Sequence, residues 1–307
     1  MIIQTLLAAA SIAASPIEAP GPSGPLAGTF VDAGKGAPIV LILPGSGPTD
    51  RDGNNPLGVT AAPYRLLAER LAQRGISSVR IDKRGLFGSK AATANPNNVT
   101  IADYVADTHA WIASIRSATG AKCVWVLGHS EGALIALAAG QKSEAICAVI
   151  TVSGAGRKLS AVMREQLQAN PANAPILAPA LETIAALENG KTVDATALPA
   201  PLQPLFNAAV QPYYIDMFAQ DPAKFAGSLT VPLLIVQGDK DIQVTVEDSK
   251  VLAAAQPKAK LAVLPNVNHV LKLFAGDDRE ANFATYSDPS LPIAPAVIDT
   301  VAAFVKP

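Results

Sequence analysis

The stretch Val124-Trp125-Val126-Leu127-Gly128-His129-Ser130-Glu131-Gly132-Ala133-Leu134 restricts this chain more than any other. A short apolar run ends in Gly-His-Ser-Glu-Gly, and a small-residue segment from Ala133 to Gly140 follows at once. The apolar run reads as a buried strand and the segment after it as a helix. A serine between two glycines at such a junction sits on a sharp, strained turn, with its hydroxyl clear of the sheet. Gly128 and Gly132 lack side chains, so the strand and helix backbones can pass close together. The N–H of Glu131, at the helix start, points where negative charge develops on an attacked carbonyl. The plain alternative is an ordinary strand-to-helix turn with a capping serine. The rest of the chain decides between the two.

Strand and helix patterns alternate on both sides of this junction. Pro38 to Leu43 is a continuous apolar run that feeds the loop Pro44-Gly45-Ser46-Gly47. A helix is expected over Pro63 to Arg74, a strand over Ile76 to Asp82, a helix over Ile101 to Ile115 and a strand over Ala145 to Val152. Leu26 to Val31 carries a weaker strand signal. This alternation predicts an α/β fold, a mainly parallel sheet with helices on both faces. The rhythm breaks from Gly156 to Lys224, where helical patterns and prolines occur without a strand. Leu159 to Ala169, Pro175 to Glu188 and Leu202 to Phe218 read as helices there. So long a stretch is no plain connection; it reads as a helical cap inserted between two strands. The strand–helix rhythm resumes with a strand at Val231 to Val236, a helix at Thr245 to Ala255, a strand at Lys260 to Leu264 and a helix at Ala294 to Val305. The chain therefore divides into residues 1–25 (leader and linker), 26–155 (first part of the core), 156–224 (cap) and 225–307 (second part of the core).

Composition enters at three points. With 307 residues, half of them hydrophobic, the chain can bury one large core. A near balance of 24 basic and 25 acidic residues leaves no basic stripe for nucleic acid and no polybasic membrane patch. The segment Met1 to Ala14 is apolar, uncharged and too short for a stable membrane span. It is similar to the apolar part of a signal peptide, with Ser11 and Ala13 as small residues near a cleavage point before about Ser15. Export is the expectation and a cytoplasmic location the alternative. Ser15 to Pro25 reads as a linker. The two cysteines, Cys123 and Cys147, each fall near a strand start, and free buried thiols are preferred over a bridge. No Cys/His spacing suits zinc, and neither a metal nor a cofactor is implied.

If Ser130 is a nucleophile, it needs a base within reach. The chain has three histidines. His129 adjoins the serine, and neighbouring side chains diverge at such a turn. His109 falls inside a predicted helix far upstream. His269 remains, in a loop just past the Lys260 to Leu264 strand. Loops beyond the carboxyl ends of parallel strands are where such sites assemble. A carboxylate must orient the imidazole, and in the order Ser, acid, His it lies between Ser130 and His269. Gln237-Gly238-Asp239-Lys240-Asp241 follows the Leu233 to Val236 strand, so Asp239 and Asp241 compete. The glycines around Ser46 let its backbone N–H approach a substrate oxygen. A phosphate-cradling role for that loop is poor, because Asp50 and Asp52 follow and no Lys-Ser/Thr ending does.

In combination these pieces resemble the α/β-hydrolases, and in particular bacterial serine carboxylesterases with a GHSEG elbow and a GSGPTDRDGN-type oxyanion loop. Gly128 to Gly132, Gly45 to Asn54, Asp82 to Ser89, Gly238 to Asp241 and Asn268-His269 carry the resemblance, which spans Pro38 to the C-terminus. The resemblance implies an α/β-hydrolase fold and the cleavage of a small-molecule carboxylic ester through an acyl-enzyme. It implies Ser130, Asp241 and His269 as catalytic triad, the N–H groups of Ser46 and Glu131 as oxyanion hole, and a cap over the acyl pocket. One departure stands out: the N-terminal antiparallel strands read as short or missing, so fewer than eight strands are expected. An amidase or aminopeptidase on the same fold is the nearest rival, with Asp50, Asp52 and Glu131 as acids for a substrate amine. A non-catalytic binding protein is the more distant one.

Overall fold

The computed structural model describes residues 13–306. Its strands are β1 (Ala13–Pro20), β2 (Pro25–Asp32), β3 (Ile39–Leu43), β4 (Ser77–Ile81), β5 (Val124–His129), β6 (Ile146–Val152), β7 (Leu233–Gly238) and β8 (Lys260–Leu264). They form one eight-stranded sheet in the order β1-β2-β4-β3-β5-β6-β7-β8. β1 pairs antiparallel with β2, and β2 antiparallel with β4. Every other pair is parallel. Successive strand side chains point to opposite faces, which explains the unbroken apolar runs. Ile39, Leu41 and Leu43 of β3 enter one core, with Trp111, Leu134 and Ile135. Val40 and Ile42 enter the other, with Leu67, Leu71 and Val301. A sheet covered on both faces needs apolar residues at every position.

The helices are α1 (Pro63–Gln73), α2 (Ile101–Thr119), α3 (Glu131–Ala139), α4 (Leu159–Gln168), α5 (Leu177–Glu188), α6 (Gln211–Ala219), α7 (Pro222–Ser228), α8 (Val246–Ala255), α9 (Arg279–Ala284) and α10 (Pro295–Val305). α2 opens on a reciprocal cap, in which Thr100 and Asp103 satisfy each other's backbone N–H. α1 and α10 cover one face of the sheet, α2 and α3 the other. No helix among the described residues is long and apolar enough to cross a membrane.

The segment between β6 and β7 holds α4 to α7. Ala180, Ile184 and Leu187, at helical spacing on α5, bury against Phe206, Met217 and Phe218. Three ties fix these helices to the rest. Asp248, fully buried on α8, accepts the N–H groups of Gly156 and Arg157 and the Arg157 guanidinium. The Gln166 side chain donates to the Gln243 carbonyl at 2.8 Å. Asp216 accepts the N–H of Ile101, the first residue of α2, at 2.7 Å.

Four expectations need correction. The sheet has its full eight strands. Residues 15–20, read as linker, lie in a strand, because β1 is an edge strand that draws its order from eight register pairs with β2. Mostly exposed and carrying Pro16 and Pro20, it shows no apolar alternation, and proline is tolerated on an edge. The helix read over Leu202 to Phe218 is a short 3-10 turn, loops and α6. Cys123 and Cys147 form a disulfide, with Cα atoms 5.2 Å apart. β5 and β6 are adjacent and parallel, so both cysteines sit at the same end. A bulge there, where Val124 pairs with Ile146 but Trp125 with Ala148, leaves Cys147 as the extra residue. The leader expected over Met1 to Ala14 lies almost entirely outside the described residues.

Candidate active site

Ser130 sits between β5 and α3 with φ 55° and ψ −120°, a strained conformation for a residue with a side chain. Close packing on both sides holds it there. A Cβ on Gly128 falls 1.9 Å from the Gly132 carbonyl oxygen, and one on Gly132 falls 2.4 Å from that of Leu43. Neither position admits a side chain. The N–H of Ser130 donates to the Val152 carbonyl at 3.0 Å, tying the turn to β6. Glu131 is the first residue of α3, so its N–H has no acceptor within the helix.

His269 and Asp241 meet across the loops that follow β8 and β7. The Nδ1 of His269 lies 2.8 Å from the Asp241 carboxylate. A carboxylate only accepts, so Nδ1 carries the proton and Nε2 is left with a lone pair. Asp241 also accepts the N–H groups of Gln243 and Val244, at 2.8 and 2.9 Å, and the side-chain amide of Gln237 at 3.2 Å. Burial by itself raises its pKa, but the His269 charge and these hydrogen bonds outweigh it and hold the carboxyl below its usual range. Asp239 does not reach the imidazole; it accepts the N–H of Asn266 at 2.6 Å, as a turn residue would.

Around the loop after β3, polar groups form two buried chains. In the first, the Gly45 N–H donates to the Tyr64 hydroxyl at 3.0 Å, and that hydroxyl lies 2.8 Å from Nδ1 of His129. Nε2 of His129 lies 2.8 Å from the His269 carbonyl oxygen. A carbonyl cannot donate, so Nε2 bears the proton, Nδ1 accepts from Tyr64, and His129 is neutral. Burial, with the His269 charge adding to it, pushes the His129 pKa from 6.5 down to about 3. In the second chain, Nζ of Lys83 donates to the Gly45 carbonyl at 2.8 Å and to the Glu131 carboxylate at 3.1 Å. Both side chains are almost fully buried. The remaining Glu131 oxygen, Oε2, has no hydrogen-bond partner among the described residues.

Of the five residues expected at the site, Ser130 and Ser46 line one small cavity with His269, and Ser46, Ser130 and Glu131 line a larger one. Asp241 joins through His269. Three further residues escape the sequence reading. His129 is set aside there because neighbouring side chains diverge; they do, and the divergence aims its ring at the backbone of His269, 4.8 Å between ring centroids. Lys83 appears there only within a matched stretch. A lysine ending a buried strand and a glutamate beside the serine are the one available signal of that pair. Tyr64, on the first turn of α1, leaves none. Within residues 156–224, Met163, Tyr213, Tyr214 and Met217 line the larger cavity. Phe206 and Phe218 are core, and Leu167 and Leu205 pack against it.

A mostly parallel eight-stranded sheet with a strained serine at the end of its fifth strand is the architecture of an α/β-hydrolase. A family model described as "Serine aminopeptidase, S33" matches residues 57–273, and the chain belongs to that family. Esterase EstD of Thermotoga maritima is 27% identical over 241 residues, 76% of this chain and 54% of that protein. The chain thus spans about half the length of that curated relative. Among solved structures, Pyrococcus furiosus esterase Pf2001 superposes with a TM-score of 0.59 at 17% identity, covering 96% of this chain and 92% of that one. The α/β hydrolase GrgF of Penicillium sp. sh18 gives 0.63 at 17% identity, over 96% and 98%. At these identities the structural likeness concerns the fold alone.

Proposed function

We propose that the protein is a serine hydrolase of carboxylic esters that works through an acyl-enzyme. The observation that carries this reading is the His269–Asp241 hydrogen bond, with His269 lining the same small cavity as the strained Ser130. It leaves Nε2 as the one imidazole nitrogen free to take the serine proton. Ser130 attacks the ester carbonyl as His269 removes its proton. The N–H groups of Ser46 and Glu131 hold the oxyanion, and Asp241 keeps the imidazole in its tautomer and stabilises its charged form. His269 then protonates the leaving alcohol, and water repeats the sequence to free the acid. The name of the EstD relative agrees with this chemistry.

Aminopeptidase action is the second reading, favoured by the family's name and by the unpartnered Oε2 of Glu131. Against it, the acids near the site are already engaged. Asp52 pairs with Arg80, Asp50 accepts the N–H groups of Asp52 and Asn54, and Glu131 pairs with Lys83. An approaching amine finds Asp52 and Glu131 already paired with a cation and Asp50 already bound by two backbone N–H groups. The helices α4 to α6, together with the rest of residues 156–224, serve as a cap that shapes the substrate cavity without supplying a catalytic group. The Cys123–Cys147 bridge supports export to an oxidising compartment.

A fluorophosphonate followed by peptide mapping tests the chemistry, and matched ethyl esters and aminoacyl anilides test the substrate class. The expected result is a single adduct on Ser130 and turnover of esters well above anilides. An adduct on another serine, or none, overturns the mechanism; faster anilide cleavage selects the second reading.

A further inference from the structure

Two cavities meet at Ser130. One, of about 420 Å³, runs beneath α4 and α6; the other, of about 120 Å³, lies towards Tyr64 and the His269 loop. Ser46, Ser130 and Gln243 line both. His269 lines only the smaller and Glu131 only the larger. We propose that the ester is divided between them, with its acyl group in the large cavity and its alcohol in the small one. The substrates are then esters of a bulky apolar acid with a short polar alcohol. This rests on the ester reading above.

The allocation follows from the tetrahedral intermediate. Its carbon bears four groups: the Ser130 oxygen, the oxyanion, the alcohol oxygen and the acyl chain. The new bond joins the carbon to the serine oxygen, and the serine proton passes to Nε2 of His269. When the bond to the alcohol oxygen breaks, that proton must pass from Nε2 to that oxygen, which leaves as neutral alcohol. The alcohol oxygen therefore lies within hydrogen-bond reach of His269, on the side of the small cavity. The oxyanion points at the N–H groups of Ser46 and Glu131. One direction remains for the acyl chain, and the large cavity occupies it.

Size and lining agree with this division. The large cavity has more than three times the volume of the small one. Thr49, Asn55 and Tyr286 place polar groups among the Val59, Pro63 and Val270 side chains of the small cavity, a mixed lining suited to a short, hydroxylated alcohol. Leu159, Val162, Met163 and Met217 give the large one mainly apolar walls, where each added buried methylene favours binding.

Two ester series read out the allocation by pH-stat titration: ethyl esters of acids from two to fourteen carbons, and esters of one fixed acid with methanol, ethanol, glycerol, butanol and octanol. The wild-type kcat/KM is expected to rise at least tenfold from acetate to about decanoate, and to fall at least tenfold from ethanol to octanol. Val210→Trp, at the wall of the large cavity alone, should shift the acyl optimum to shorter chains and leave the ranking of alcohols in place. Val59→Trp, at the wall of the small one alone, should sharpen the alcohol cut-off and leave the acyl ranking in place. A preference for short acids with long alcohols, flat profiles, or crossed effects of the two variants overturn the allocation while esterase activity stands. No hydrolysis of any ester by the wild type overturns the ester reading and the allocation together.

Discussion

The loop after β3, which carries the proposed oxyanion donor Ser46, is held from two directions by groups of opposite character. On the side of the elbow helix stands an ion pair, Lys83 with Glu131, whose ammonium also grips the Gly45 carbonyl. On the side of the base stands a neutral chain from the Gly45 N–H through Tyr64 and His129 to the His269 carbonyl. The Gly45 carbonyl belongs to the same peptide as the Ser46 N–H. A cation on that carbonyl therefore both fixes the N–H and polarises it towards a better donor. It also cancels a carboxylate that would otherwise repel an oxyanion one residue away. The neutral chain touches no forming charge; it sets the distance between two loops. A second cation there would face His269 directly. Under the proposed mechanism, charge is thus placed where it acts on the transition state, and neutrality where only position must be kept.

The base side tolerates least change at its far end. Asn at position 241 keeps the shape but presents a donor to Nδ1 and so favours the wrong tautomer; a comparable change elsewhere lowers kcat by about 10⁴. Asp241→Asn is expected to lose at least ~10³ in kcat while circular dichroism stays that of the folded protein. Asp239→Asn, which weakens only the bond to the Asn266 N–H, should cost about tenfold through loop disorder. Steady-state kinetics on the two variants separates them. The reverse ranking moves the acid to Asp239, and two mild losses mean that neither carboxylate orients the base.

The ion pair comes next. Lys83→Met releases the Ser46 peptide and leaves the Glu131 charge uncompensated, so kcat should fall by ~10², the scale of losing one oxyanion donor, with KM little changed. Breaking a buried pair also costs stability, roughly 3–5 kcal/mol. Lys83→Met with Glu131→Gln keeps the argument testable, because the double variant regains stability without regaining kcat. Full recovery of kcat in the double variant means that Lys83 serves only to neutralise Glu131, and the polarised-peptide account fails.

The difference between the two sides is also a difference in what the sequence discloses. Ser130, with Gly128 and Gly132, is legible because the turn is local: backbone crowding within five residues demands those types. His269 and Asp241 are legible through chain order and their place after strands, although Asp239 is excluded only when the loop is seen. The chain Tyr64–His129–His269 joins three elements far apart in sequence through a backbone carbonyl, which no side-chain motif encodes. β1 hides for a related reason: an edge strand takes its order from its partner, and exposed residues with prolines carry no alternation. The Cys123–Cys147 bridge depends on one bulge in β6, which shifts register by a single residue and leaves no trace in composition.

The neutral chain makes its own claim in acid. In the unfolded protein His129 titrates near 6.5; in the fold burial, and secondarily the His269 charge, lower it to about 3. Between those values the unfolded chain binds a proton that the folded one refuses, so unfolding gains as pH falls. The stabilisation is fully present above pH 6.5 and is lost towards pH 3, at up to about 1.4 kcal/mol per pH unit. Asp241, whose carboxyl is held below its usual 3.8, contributes a loss only below that value, so the window from 6.5 to about 4 separates the two. His129→Gln keeps a donor for the His269 carbonyl and removes the titration. It also strands the Tyr64 hydroxyl, at a cost of about 1–3 kcal/mol that does not vary with pH in this range. Its kcat should fall by no more than about tenfold, less than for Lys83→Met, since one loop contact loosens and no oxyanion donor is lost. Urea unfolding at half-unit steps from pH 8 to pH 4 should therefore show the wild type more stable at neutral pH and the gap closing in acid. Curves that stay parallel through that window mean that His129 takes up its proton inside the fold, and a neutral strut between the two loops is then ruled out.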